Sequence, residues 1–196
     1  MYKNLKIGTN IIHYKYSNSF QKGNSLSDLY DFKGRNGLNY SLYANYRYDR
    51  IYGFTELSFD KERAKAVLAG ILLNASERLQ FSMLYRDFAR NYQGLYSAGF
   101  GDKSGTKNER GWYLGMEILP LAKWKLSAYF DMYEFSWLRQ SVDAPSRGND
   151  YKIRVEYLYS DKLDGYLQFY QESNQKNTKK PVAVRFLTKE KRTKLR

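Results

Sequence analysis

Between Leu38 and Tyr48 the even positions carry Leu38, Tyr40, Leu42, Ala44, Tyr46 and Tyr48, and the odd ones Asn39, Ser41, Tyr43, Asn45 and Arg47. In an extended chain successive side chains point to opposite faces, so this alternation predicts a strand with one apolar and one polar face. A helix would spread the same residues around its whole circumference. The pattern recurs along the chain. Leu79, Phe81, Met83 and Tyr85 oppose Gln80, Ser82 and Arg86, and Trp112, Leu114, Met116 and Ile118 oppose Tyr113, Gly115 and Glu117. Trp124, Leu126, Ala128, Phe130 and Met132 oppose Lys125, Ser127, Tyr129 and Asp131. Tyr151, Ile153, Val155, Tyr157 and Tyr159 oppose Lys152, Arg154 and Glu156.

Extended along the chain, the periodicity predicts about ten strands, near 5–17, 38–48, 51–60, 65–75, 78–90, 111–120, 123–135, 151–160, 163–173 and 181–188. Most exceed the five or six residues usual in soluble domains and approach the roughly nine to eleven that a tilted strand needs to cross a bilayer. Tight turns are expected near Asp49-Arg50, Ser76-Glu77, Leu121-Ala122 and Asp161-Lys162. The alternate connections, 18–37, 91–110, 136–150 and 174–180, are longer and rich in Gly, Ser, Asn and charge, with only 61–64 short. Short turns at one end and long loops at the other characterise outer-membrane barrels. A helical turn or two is expected near Ser25 to Asp31.

Composition bears on this picture in four ways. The chain of 196 residues contains 20 Tyr, 3 Pro and no Cys, which leaves long strands uninterrupted and excludes disulfides and thiolate metal sites. The longest apolar stretch, Ala66 to Leu73, is strand-sized, so no transmembrane helix is encoded. The mean hydropathy of -0.72 does not argue against strands in a membrane, because only alternate residues of a barrel strand face lipid. The formal charge of +13 suits nucleic acid, anionic lipid or acidic polysaccharide as partners, yet much of it lies in the last 21 residues, from Lys176 to Arg196, and reads first as solvated loop and lumen charge rather than as a dedicated nucleic-acid site.

Candidate catalytic chemistry is sparse. His13 is the one histidine and lacks a sequence partner for metal binding or catalysis. There is no Gly-x-Ser-x-Gly elbow, P-loop or dinucleotide fingerprint. The segment Gly99-Phe100-Gly101-Asp102-Lys103-Ser104-Gly105 is phosphate-like in composition but lacks a strand-to-helix setting, and a mobile surface loop is expected. Asp143 and Asp150 flank a loop without the spacing of a calcium-binding hand. Six charges on the polar sides of their strands, Glu56, Arg86, Glu117, Asp131, Arg154 and Glu156, are expected to line the inside of a barrel, with Arg86 meeting Glu117. Trp112, Tyr113, Trp124, Tyr133, Trp137 and Tyr151 lie near strand ends and are expected to form an aromatic girdle.

The Phe54-Thr55-Glu56 strand and Leu84-Tyr85-Arg86 followed by Tyr92 and Tyr96 carry a resemblance. So do Asn108-Glu109-Arg110-Gly111 leading into Trp112-Tyr113-Leu114-Gly115, then Tyr129-Phe130-Asp131, Phe135-Ser136-Trp137 and Pro145-Ser146-Arg147-Gly148. Over roughly residues 5 to 190 the chain resembles the β-barrel part of Bacteroidetes-type outer-membrane proteins whose N-terminus carries helix-hairpin-helix repeats. The resemblance implies a fragment of a longer protein, with the helical repeats absent and any DNA-binding label belonging to those repeats. Met1-Tyr2-Lys3-Asn4 leads almost at once into a strand, and the last six residues lack a terminal aromatic.

The sequence therefore predicts one all-β domain over 1–196, an antiparallel up-and-down meander forming a transmembrane β-barrel of about ten strands, closed alone or part of a larger barrel. The expected role is a non-enzymatic pore, scaffold or anchor in a bacterial outer membrane, with no cofactor and no metal. Membrane lipid or lipopolysaccharide and periplasmic or surface proteins are the expected partners. The alternative is a soluble, basic, Tyr-rich β-sheet module that binds an anionic polymer, nucleic acid or polysaccharide, although no nucleic-acid motif is present.

Overall fold

A computed structural model describes residues 4–21, 23–103, 105–160, 163–178 and 186–196. Ten strands follow one another: β1 (Leu5–Gln21), β2 (Lys33–Tyr48), β3 (Ile51–Asp60), β4 (Lys65–Ser76), β5 (Leu79–Phe88), β6 (Glu109–Ile118), β7 (Trp124–Phe135), β8 (Ser146–Ser160), β9 (Leu163–Asn177) and β10 (Leu187–Leu195). Each pairs antiparallel with its neighbours in sequence, which makes one ten-stranded up-and-down sheet. This is the all-β meander that the alternation predicts. β1 and β10 occupy the two edges and are not paired with each other, so the described sheet is open.

Several boundaries differ from expectation because pairing continues into segments whose composition suggested loops. β1 runs on to Gln21 and β2 starts at Lys33, where Phe20 and Gln21 meet Gly34 and Lys33 past an irregular register. Ser146 to Asp150 belong to β8, since they pair with Phe135 to Asp131. Asn174 to Asn177 extend β9 against β10. The last strand was expected at 181–188; residues 181–185 lie outside the described residues, and β10 occupies Leu187–Leu195. The helical segment near Ser25 is a single 3-10 turn, Leu26–Asp28, capped by the Ser25 side chain.

The sheet's two faces differ chemically. One, called inner here, carries Asn39, Ser41, Arg86, Glu109, Asp131 and Tyr133, all buried. The outer face carries Ile7, Ile11, Leu42, Ile71, Leu114 and Leu167, all exposed. An apolar sheet face left uncovered this extensively calls for a covering medium or partner layer. No helix among the described residues is long and apolar enough to cross a membrane, a test that does not bear on strands.

Reading the outer face across the strands reveals an arrangement that no single strand contains. One row of register partners, Ile7, Ala44, Thr55, Ala69, Tyr85, Trp112 and Met132, is apolar or small from β1 to β7 and then becomes Asn149, Ser173 and Lys191 on β8 to β10. The row nearer the tight turns, Ile51, Leu73, Phe81, Met116, Ala128, Ile153, Phe169 and Leu195, is apolar throughout. The apolar band therefore crosses the strands obliquely. On β3 its upper limit is Phe59, whereas the row of the β10 limit, Leu195, meets β3 at Ile51; 59 − 51 is 8 residues of drift over the seven steps from β3 to β10. Above the limit stands a run of charges on neighbouring strands, Asp87, Arg110, Glu134 and Arg147.

The sheet also curls. Arg47 on β2 and Lys152 on β8 border one cavity of about 810 Å³ at the tight-turn end of the inner face. At the other end three long connections meet: the Arg90 guanidinium lies 5.1 Å from the Tyr30 ring and 5.2 Å from that of Trp137. The Trp137 indole N–H donates to the Leu26 carbonyl at 3.1 Å. Loops after β1, β5 and β7 are thus tied together across the sheet.

Candidate functional site

The densest chemistry lies on the inner face near the long loops. Arg86 stands near the long-loop end of β5, and its side chain is wholly buried. Its Nε donates to Glu109 Oε1 at 2.5 Å, while Nη1 and Nη2 donate to the two Asp131 carboxylate oxygens at 2.8 and 3.1 Å. A planar guanidinium suits this forked geometry where an ammonium would not. The group sits between Phe100 and Tyr133, whose ring centres are 5.6 and 5.9 Å from Cζ. Its register partner is Gly111. A Cβ there would lie 2.7 Å from Arg86 Cζ and 2.8 Å from the Met132 carbonyl, so the absence of a side chain makes room for the guanidinium. Two carboxylates around one guanidinium leave the cluster formally one negative charge in excess, and other donors satisfy it.

Those donors come from the β5–β6 loop, residues 89–108. The backbone N–H groups of Asp102 and Lys103 donate to Glu109 at 2.8 and 3.3 Å. Further along, Gly99 N–H donates to Thr106 Oγ1 at 2.7 Å, and the Phe100 ring packs edge-on against Tyr113. The other end of the loop is held by Tyr92, only 2 % exposed, whose hydroxyl lies 2.6 Å from Ser58 Oγ. Asn39 Nδ2 donates to the Gln93 carbonyl, and Gln93 N–H donates to Asp60 Oδ2. Asp60 also receives the Glu62 and Ala64 N–H groups through its other oxygen, which closes the short 61–64 turn. Tyr92 packs with Ala64, Ala66 and Phe88 in a hydrophobic cluster of buried residues on this face. Tyr96 reaches β1, with its hydroxyl 3.1 Å from that of Tyr16.

The loop expected to be a free surface segment is therefore folded over the inner face from β1 to β6. Beneath it is a cavity of about 490 Å³ bordered by Asn10, Ser41, Glu56, Leu68 and Thr106. Asn108 ends the loop with φ 53, a conformation that Asn tolerates better than most residues, and its side chain accepts the Trp137 N–H at 2.8 Å. One loop is thereby coupled to the next.

All six charges read from the sequence lie on this face. The structure brings Arg86 and Asp131 together but not Arg86 and Glu117: Glu117 is paired in register with Gln80 and forms its ion pair with Lys125 at 2.8 Å. Arg154 and Glu156 meet each other at 2.8 Å, with the Arg154 guanidinium 4.0 Å from the Tyr166 ring. Glu56 borders the cavity under the loop. The residue missing from the expected set is Glu109, hidden in a stretch whose composition suggested a loop.

The six aromatics do not form a single girdle. Trp112, Trp124 and Tyr151 are outward, the first two packed at a tilt across strands against Tyr85 and Tyr157, with ring centres 4.7 and 4.8 Å apart. Tyr113 and Tyr133 have the opposite parity and turn inward, and Tyr133 donates to Asn174 at 2.9 Å. Trp137 belongs to the loop cluster with Arg90. His13 is exposed on the outer face opposite Leu38. Asp150 accepts the Tyr129 hydroxyl on the inner face, Asp143 lies in the β7–β8 loop, and no group of three or more potential metal ligands occurs among the described residues.

No protein-family model, curated protein or solved structure matches the chain.

Proposed function

We propose that this chain is membrane-spanning barrel wall, non-enzymatic, placed in a bacterial outer membrane and acting as scaffold or anchor with its inner space narrowed by the 89–108 loop. The oblique apolar band carries the reading. A drift of about one residue per strand, taking roughly 3.3 Å per residue and 4.8 Å between strands, becomes level when the strands tilt by about 40°. Closed barrels require tilts of roughly 35–45°. A sheet buried against a protein layer has no reason to keep such a slope across so many strands. On β7 the band runs from Trp124 to Met132, nine residues with eight steps between them, or about 27 Å along the strand and roughly 20 Å once tilted, close to the height of a barrel's lipid-facing belt.

Two further features support it. Apart from the short 61–64 turn, the connections at one end are longer than those at the other, and the charged run from Asp87 to Arg147 stands where the apolar band stops. The resemblance to barrel portions of helix-hairpin-helix outer-membrane proteins agrees with this reading. The inward fold of the 89–108 loop favours a scaffold or anchor over a freely open pore.

The test is heat modifiability. The chain is refolded in detergent, and boiled and unboiled samples are compared on a denaturing gel with circular dichroism alongside. A shifted, protease-resistant unboiled band with β-type dichroism is expected. A chain that stays soluble and folded without detergent, with no shift, would overturn the membrane reading in favour of the anionic-polymer binder.

A further inference from the structure

Where the apolar band steps down across β6 to β10, the outer face carries a groove of about 530 Å³. Its apolar side is Trp112, Phe130 and Met132, and Arg147 and Lys189 stand on its polar side. Between them is Ser173, 5 % exposed, whose buried hydroxyl has no hydrogen-bond partner among the described residues. A buried hydroxyl left unpaired costs free energy, and native structures rarely keep one without a reason. Arg110 also lines the groove, and Ser173 is paired in register with Lys191, a further cation on the neighbouring strand. The one acid lining the groove among the described residues, Glu134, has the Arg110 guanidinium 3.8 Å away.

We propose that this groove binds the phosphorylated headgroup of a membrane lipid of the lipid A type, in the leaflet on the long-loop side. The proposal rests on the membrane reading and deepens it. Three properties select that ligand. The cations and the free hydroxyl offer donors to a phosphate, with Arg147 able to fork onto two of its oxygens. The apolar side continues into the lipid-facing band, so acyl chains attached to the phosphate have a surface to lie against. The groove's position at the limit of the band, where Met132 gives way to Asn149 in one register row, is the level at which a headgroup meets hydrocarbon. A soluble phosphate compound would use the cations but leave the aromatic and aliphatic side uncovered.

The full chain, refolded in detergent, is titrated with lipid A and the bound fraction read by native mass spectrometry. Arg147→Gln/Lys189→Gln is expected to weaken binding by about tenfold, the scale of charge-assisted contacts partly screened by solvent. Lys33→Gln/Lys61→Gln, which removes the same charge on the long-loop side away from the groove, is expected to change it less than about twofold. Ser173→Ala separates a ligand role from a structural one: it is expected to weaken lipid A about threefold while urea unfolding shows stability unchanged or raised, because an unpaired buried hydroxyl is removed. Equal effects of the two double variants would overturn the site and leave the barrel reading intact. Inorganic phosphate competing as well as lipid A does would overturn the lipid as the ligand. A chain that folds only without detergent would overturn both the site and the reading on which it rests.

Discussion

Arg86 Nε lies 2.5 Å from Glu109 Oε1, and neither side chain has any exposed surface. With Asp131 gripping the other side of the guanidinium, one cation holds two carboxylates in a region shielded from water. Removing the cation alone is the damaging change. Arg86→Met is expected to cost roughly 3–5 kcal/mol, because Glu109 and Asp131 are left buried without it. The triple variant Arg86→Met/Glu109→Gln/Asp131→Asn is expected to recover much of that loss. Urea unfolding of the refolded chain in detergent measures both, and a single variant as stable as the parent would show that the cluster contributes little.

Gly111 is expected to resist even alanine. The added methyl would meet both the Arg86 guanidinium and the Met132 carbonyl, so Gly111→Ala should lose about 1–3 kcal/mol, the usual range for overpacking. The same unfolding experiment reads it. Gly165, with open space where its Cβ would be, is the natural control.

The slope of the apolar band predicts opposite outcomes for two positions in one register row on one face. Ala44 on β2 sits midway between Tyr40 and Tyr48 in the band, whereas Asn149 on β8 sits above it. Ala44→Arg is expected to cost roughly 2–4 kcal/mol in lipid vesicles and Asn149→Arg about 0–1 kcal/mol. Similar costs at both positions would count against the proposed membrane placement of the band.

The inward loop should be released from either end. Glu109→Gln weakens the acceptor for Asp102 and Lys103 N–H, and Tyr92→Phe removes the hydroxyl near Ser58, at about 1 kcal/mol for the latter. Trypsin cleavage after Lys103 is expected to accelerate in both variants. Unchanged cleavage would show that these contacts do not hold the loop down.

Much of the sheet was legible because strand alternation is local: Leu38 to Tyr48 or Trp124 to Met132 declare their faces without reference to any neighbour. Parity also contained the inward orientation of Tyr113 and Tyr133, which oppose Trp112 and Met132, although their clustering near strand ends points to a girdle. The Arg86 partners were not legible in the same way. Two adjacent strands allow many registers, and the register decides whether Arg86 faces Glu117 or the Gly111 row. Glu109 was further hidden because a Gly-, Ser- and Asn-rich composition marks both a loop and the strand end that anchors it. The oblique band required all ten strands in register at once, so no reading of individual segments could supply it.

The strictly sequential pairing has a consequence for the order in which the chain assembles. Each strand finds its backbone partners in the next one, so hairpins can form as local units with little loop-closure entropy. The Arg86–Asp131 contact is different, since it joins residues 45 apart and skips over β6. It can form only when β7 has arrived, two strands after β5 is in place. Until then Arg86 is paired with Glu109 alone, so the buried three-residue cluster is completed late, once the strands on both sides of β6 are in place.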